Sequence, residues 1–412
     1  MEKKISFIHC ADLHLDSPFK GMSTLPAHLY QELKRSTFDA LDNLVALAIN
    51  RNVDFILIVG DVFDESIQSV YAEMQFLMAC QKLEQAGIEI YLSFGNHDYN
   101  QTKQRFVQFP DNVHLFDSDQ VTSKVFEKDG EPLVAIHGFS YLERAVTINK
   151  TEQYQPVSNL PYQIAMLHGS IQQSKEHDHY APFQLSDLIN KPFDYWALGH
   201  IHKRSILSED PPVVYSGNTQ GRSVKELGEK GCYLVSLDQN KKAQVHFEAL
   251  HAIQFDQLMI DVSHCQQIDQ LYQLVTNHLV KLDKQRRIVF IKLLNYQDPL
   301  LSLYHQGKIT DLVDVLNEQY QDQPDWLSIQ QMTLTKQADS IDTTLEARDP
   351  FMKELLQGFD SIDWEEAMSE LWHHRKARRF LDGLTEEEKQ QIAEEAKQLL
   401  RFQLIGNDTY ED

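Results

Sequence analysis

The sequence predicts a layered α/β fold, and three observations carry that reading. Short β-rich runs alternate with turns and helical stretches from Lys4 to about Leu250, and most of the runs are apolar almost without interruption. A strand without polar alternation is covered on both faces, as in a sheet between two layers. Several runs also end in Gly followed by Asp, Asn or His, so polar residues collect at strand ends, where open α/β sheets bind their ligands.

In order, the runs are ISFIHC from Ile5, DFILIVG from Asp54, IEIYLSFG from Ile88, PLVAIHG from Pro132, QIAMLHG from Gln163, DYWALGH from Asp194, PVVYSGN from Pro212 and CYLVSL from Cys232. Between Phe255 and about Thr335 the pattern becomes strand (LMIDV), helix (Ile268 to Val280), strand (RRIVFIKL), helix (Ile309 to Tyr320) and strand (LSIQQMTL), which predicts a small α+β domain. After Lys336 the β signals stop, and QADSIDTT reads as a linker into a helical region. Asp349 before Pro350 marks a helix start, Asp363 with Glu366 and Thr385 with Glu388 have capping-box spacing, and Gly383 suits a helix stop. The expected division is therefore residues 1–253, 254–338 and 339–412.

With 412 residues, 42% of them hydrophobic, the chain can bury sizeable cores. Its 61 acidic and 38 basic residues leave a net charge of −23, which argues against gripping nucleic acid or anionic membrane over the whole surface. Cys10, Cys80, Cys232 and Cys265 form no CxxC pair, so neither a disulfide framework nor a thiolate zinc site is expected. The start MEKKISFIHC carries no cleavage-site pattern and no apolar run of about 20 residues, so the expectation is a cytoplasmic protein with no membrane association. No GxxxxGK[ST] phosphate loop is present.

Five motifs fall at the ends of predicted strands: Asp12-Leu-His14, Gly60-Asp61-Val-Phe-Asp64, Gly95-Asn96-His97-Asp98, His168-Gly169 and Gly199-His200-Ile-His202. Together they offer imidazole, carboxylate and amide groups without a thiolate, a set suited to two divalent cations such as manganese, iron or zinc. His9 and His137 lie within core strands and read as bonded core residues, Asp98 as a turn-stabilising carboxylate, and His177 with His179 as a solvated loop.

The order DxH, GDxxD, GNHD, H, GHxH resembles that of the calcineurin-like metallophosphoesterases. HCADLHLDSPF and GDVFDES, with SGNTQGRSVKELGEKGCYLV further on, are similar to the SbcD type of DNA repair nuclease, most of all its bacterial YhaO-like branch. The resemblance covers about residues 4 to 250. It implies a layered β-sandwich flanked by helices, capped by the small α+β domain, with a helical C-terminal region. It implies that Asp12, His14, Asp61 and His202 hold one metal, and that Asp61, Asn96, His168 and His200 hold the other. Manganese is the expected metal, with magnesium, iron or zinc as alternatives. His97 resembles the family's catalytic histidine, and Asp64 would orient it through a hydrogen bond. The implied activity is hydrolysis of DNA phosphodiester bonds, as an exonuclease in DNA repair, by a hydroxide activated between two metals. The implied partners are DNA and a coiled-coil ATPase of the SbcC-like or YhaN-like kind. A homodimer through the helices at Pro26–Asn50 and Ser66–Ala86 is also implied.

Residues 256–339 hold 7 Lys and Arg against 11 Asp and Glu, so the small domain shows no broad basic face. Lys281, Lys284, Arg286 and Arg287 form a local basic cluster, and Trp364 and Trp372 are candidate anchors for a docked helix. Two other functions compete with the nuclease: a phosphoesterase acting on small nucleotides or another phosphodiester, and an assembly subunit with little turnover.

Overall fold

The run Phe55–Val59 shows how the chain divides its apolar residues. Phe55, Leu57 and Val59 join one core and Ile56 and Ile58 another, because successive strand side chains point to opposite faces. The same alternation recurs at Ile164 and Met166 against Ala165 and Leu167, and at Tyr195 and Ala197 against Trp196 and Leu198. Such strands can only lie between layers, and the computed structural model places them there. It describes residues 4–22, 24–64, 69–99, 107–172 and 180–335, with residue 355, residues 358–374 and isolated positions between 384 and 397.

The first sheet contains β1 (Ile5–Cys10), β2 (Phe55–Val59), β3 (Glu89–Ser93), β4 (Val113–Leu115), β11 (Gly231–Leu237) and β12 (Ala243–Ala249), in the order β12-β11-β1-β2-β3-β4. The second contains β5 (Thr122–Lys128), β6 (Glu131–Gly138), β7 (Tyr162–His168), β8 (Tyr195–Gly199), β9 (Ser205–Glu209) and β10 (Pro212–Tyr215), in the order β5-β6-β7-β8-β10-β9. One core, including Phe7, Tyr91, Ile136 and Met166, lies between the sheets. The outer face of the first sheet is covered by α1 (Ala27–Arg51) and α2 (Val70–Gln85), through Phe38, Leu41, Leu44, Phe76 and Ala79. The second is covered by the short α3 (Leu185–Ile189), through Leu188, and by flanking residues such as Phe183 and Phe193. This is the sandwich flanked by helices that the sequence predicts.

In the first sheet β1, β2 and β3 are mutually parallel, and in the second so are β7 and β8. Their carboxyl ends therefore gather on one side of each sheet, which is what brings the five motifs together.

A third sheet, wholly parallel, has the order β13 (Gln254–Asp261), β14 (Arg287–Leu294), β15 (Leu327–Thr335). Its helices are α4 (Ile268–Leu279), α5 (Asp298–His305) and α6 (Lys308–Tyr320), and α4 and α6 match the two expected there. The sequence reading missed α5. Its Asp298-Pro299 opening looks like a turn, yet Pro within the first turn of a helix loses no hydrogen bond. The other face of this sheet packs Phe255, Ile288, Phe290 and Trp326 on Phe19, Met22, Leu25, Leu29 and Leu33. Trp326 Nε1 also donates to Glu32 Oε2 at 2.9 Å. The layer thus rests on α1 and on the loop that follows the first motif, and residues through Thr335 form one compact unit.

A second unit begins at Lys336. Its described helices are short, Trp364–Ala367 and Ser369–His373. Asp363 caps the first, its side chain accepting from the N–H groups of Glu365 and Glu366. The expected linker, the Asp349–Pro350 start, the Gly383 stop and the Thr385 cap lie outside the described residues, as do His177 and His179. Among the described residues no helix is long and apolar enough to cross a membrane.

Candidate metal centre

The loops after β1 and β2 are zipped together by their own backbone. Asp12 N–H donates to Gly60 O at 3.1 Å, His14 N–H to Asp61 O at 3.0 Å and Leu15 N–H to Val62 O at 2.9 Å. To aim their side chains inward, Asp12, His14, Asp61 and His200 adopt φ of 52°, 43°, 52° and 91°. Four left-handed residues so close together cost about 1–2 kcal/mol each, a strain that persists only where surrounding structure imposes it. Asp12, His14, Asp61 and His168 are all at most 2% exposed.

Two clusters result. One oxygen or nitrogen each from Asp12, His14 and His202 lie within 4.8 Å of one another, and the same holds for Asp61, His168 and His200. Asp61 stands between them, with Oδ2 at 3.9 Å from His14 Nε2 and 3.4 Å from His168 Nε2. Asn96 Oδ1 lies 3.0 Å from His168 Nε2 and 3.1 Å from His200 Nδ1, which adds an amide oxygen to the second cluster. His97 follows on the same turn, its N–H donating to Asp61 Oδ1 at 2.9 Å and its ring edge-on to His14 at a centroid distance of 4.9 Å.

The second cluster is set by backbone. His168 Nδ1 donates to Val59 O at 3.0 Å, which turns Nε2 toward Asn96 Oδ1. A Cβ on Gly60, whose φ is +78°, would fall inside the His168 ring, and one on Gly95 would fall on Asp61 Oδ1. Only a residue without Cβ lets these strands close around His168.

The first cluster is set by side chains that the sequence reading did not single out. His202 Nδ1 donates to Glu226 Oε1 at 2.7 Å. Glu226 Oε2 accepts from Asn218 Nδ2 at 2.9 Å and from Arg222 N at 2.8 Å. The Arg222 guanidinium then bridges Glu226 Oε1 and Asp64 Oδ2, each at 3.2 Å. Burial would raise the Glu226 carboxyl, but His202 and Arg222 outweigh it and hold the group below the usual carboxylate range. The signal available in the sequence was the polar spacing Asn218, Arg222, Glu226 within the SGNTQGRSVKELGEKG stretch, beyond the last motif.

The Asp64 carboxylate meets the Arg222 guanidinium, a permanently charged donor, and among the described residues His97 Nδ1 is buried without a hydrogen-bond partner. Asp98 fills the turn role read for it, accepting from Gly95 N and Val62 N at 2.6 Å each. Burial and then the Asp61 charge push its carboxyl up to about 7. His9 is bonded to Tyr195 Oη and Leu198 O, and His137 to Gln163 Oε1, as core residues.

The electrostatics of the centre fit divalent cations. Burial raises the Asp61 carboxyl, but His168, His14 and His97 together pull it below its ordinary range. Burial, followed by the charge of His168, lowers His200 to about 3, and burial likewise holds His14 well below the imidazole range. Among the described residues Asp61 Oδ2 is buried with no hydrogen-bond donor, and His14 Nε2 faces His202 Nε2 at 3.1 Å. Buried lone pairs converging without donors are costly unless a cation receives them. The donors are imidazole and oxygen, with all four cysteines held in the core, as borderline metals prefer.

A dinuclear-type array at the ends of parallel strands in a helix-flanked sandwich defines a metallophosphoesterase. The chain belongs to the calcineurin-like phosphoesterases, whose family model matches residues 5–204. More particularly, it is 36% identical to the metallophosphoesterase YhaO of Bacillus subtilis (strain 168) over 408 residues, 98% of this chain and 99% of that protein. It is 26% identical to the DNA double-strand break repair protein Mre11 of Thermoplasma acidophilum over 53% of this chain and 57% of that one. It is 24% identical to the SbcD component of the nuclease SbcCD of Escherichia coli (strain K12) over 58% of this chain and 66% of that one.

Proposed function

We propose that this metallophosphoesterase is a DNA nuclease, hydrolysing phosphodiester bonds from strand ends in the cytoplasm. The observation that carries the reading is the pair of ligand clusters bracketing Asp61 Oδ2, with His97 on the rim of a cavity of about 550 Å³ that Lys20, Asp64 and Arg222 also line. The similarity to proteins named for DNA repair and for nuclease activity supports the choice of DNA.

Asp12, His14, Asp61 and His202 would hold one divalent cation and Asp61, Asn96, His168 and His200 the other, manganese being the first to test. When bound, the cations would supply Lewis acidity, polarising a phosphoryl oxygen and acidifying a water. His97 would give a proton to the departing oxygen or stabilise charge on the phosphoryl group. Asp64, paired with Arg222 at the same cavity, would help to orient His97.

A coiled-coil ATPase of the SbcC-like or YhaN-like kind is the partner we assign, and the charge arrangement supports it. Arg287 is paired with Asp256 and Asp283, and Arg286 with Glu32, which leaves only Lys281 and Lys284 of the basic cluster of the third sheet outside these pairs. A second copy would pair through α2, which leaves Val70, Tyr71, Met74 and Met78 exposed on successive turns.

The test is hydrolysis of labelled single- and double-stranded DNA beside a generic phosphodiester, with manganese, magnesium or chelator. Manganese-dependent DNA cleavage, lost in His97→Ala, is the expected outcome. Turnover of the generic ester with every DNA form inert would move the substrate to small phosphodiesters.

A further inference from the structure

A second cavity, of about 250 Å³, lies against the metal centre and shares His202 with it. Three of its lining residues are cationic, Lys203, Arg204 and Lys230, against one acid, Glu229. In a chain of net charge −23 such a concentration is unusual.

Lys230 is the residue that calls for a ligand. It is only 7% exposed, and its ammonium has three N–H donors. Among the described residues its Nζ has one hydrogen-bond acceptor, the His202 carbonyl oxygen at 3.1 Å. A buried cation normally gathers enough acceptors to replace its lost water. Lys230 lines a cavity with room for an anion. Its walls are fixed: Arg204 Nη1 donates to Glu229 O at 2.7 Å, and its guanidinium lies 3.8 Å above the Phe247 ring. The other side of that planar group is the kind of surface on which a nucleobase stacks.

We infer that this cavity is a subsite for the phosphate that flanks the scissile one on a polynucleotide strand, Lys203 and Lys230 receiving its oxygens and Arg204 the adjoining base. The inference rests on the nuclease reading and deepens it. Because His202 belongs to both the metal centre and the cavity wall, a strand whose cleaved bond lies at the centre runs its neighbouring phosphate into the cavity. A small phosphoester has nothing to place there.

The experiment uses the full chain loaded with manganese. Initial rates are measured on a dinucleoside monophosphate and on two trinucleotides, whose additional phosphate lies 5′ or 3′ to the cleaved bond. In wild type, one of the two should lower KM by about tenfold, the scale of one or two phosphate contacts. In Lys203→Ala/Arg204→Ala, and in Lys230→Met where it folds, that gain should vanish. The exposed Lys203 allows the double variant to decide the matter even if the buried Lys230 tolerates no change. A gain of equal size in variants and wild type overturns the subsite, as does dinucleotide cleavage that neither flanking phosphate improves. Inorganic phosphate that binds wild type and not the double variant, with neither flanking phosphate improving cleavage, would assign the cavity to a free phosphate and overturn the strand assignment. Wild type that cleaves a generic ester and no nucleotide defeats the nuclease reading itself.

Discussion

His168 and His202 each turn one imidazole nitrogen toward the candidate metal centre, yet they are held by opposite means. His168 is buried, its other nitrogen is bound to a backbone carbonyl, and the strands around it close because Gly60 and Gly95 carry no Cβ. His202 stands at the edge, with 26% of its side chain exposed, and is aimed by an ionised Glu226 that Arg222 and Asn218 brace in turn. The backbone arrangement tolerates no added atom. The side-chain arrangement can be weakened by degrees, since each of its bonds is one of several.

The largest effect expected falls between the two halves. His97→Ala should lower kcat by about 10²- to 10⁴-fold, the range of a lost general acid, with metal content unchanged by elemental analysis. A parallel loss of metal would make His97 part of one cluster. Next comes Gly60→Ala, which adds left-handed strain to a clash with the His168 ring. We expect about 3–5 kcal/mol lost in denaturant unfolding, together with loss of one bound ion. A stable variant that keeps both ions would mean that the backbone does not govern the His168 side.

Glu226→Gln should be milder, weakening one of two metal-binding steps by about 10- to 100-fold in calorimetric titration and leaving the other alone. Equal weakening of both steps would erase the distinction between the halves. Smallest is Arg222→Lys, which keeps the charge and gives up the fork joining Glu226 to Asp64. A shift of a few-fold in the same titration is expected, since three of the four contacts to Glu226, from His202, Asn218 and the Arg222 backbone, do not use the Arg222 side chain.

These residues also mark how far the sequence can be read. The strands are legible because their apolar runs admit only a two-faced burial, and the ligand candidates because each run stops at a short polar motif. Glu226 and Arg222 are not. Their loop follows β10, no strand-end motif marks them, and a Glu four residues from an Arg is ordinary on any surface. Nothing in the spacing around Asp64 reveals the arginine, more than 150 residues away, that its carboxylate meets.

The sequence by itself determined the layering, the order in which imidazoles and carboxylates reach the strand ends, and the absence of thiolates among them, because hydrophobic periodicity and residue chemistry are local properties. Only the tertiary structure decided which atoms meet: that, among the described residues, Asp61 Oδ2 is left bare between two clusters, that Glu226 stands behind His202, and that Lys230 is buried at a cavity with a single acceptor. Those outcomes depend on how two sheets and a third layer converge, and convergence over such sequence separations is set by packing of the whole unit.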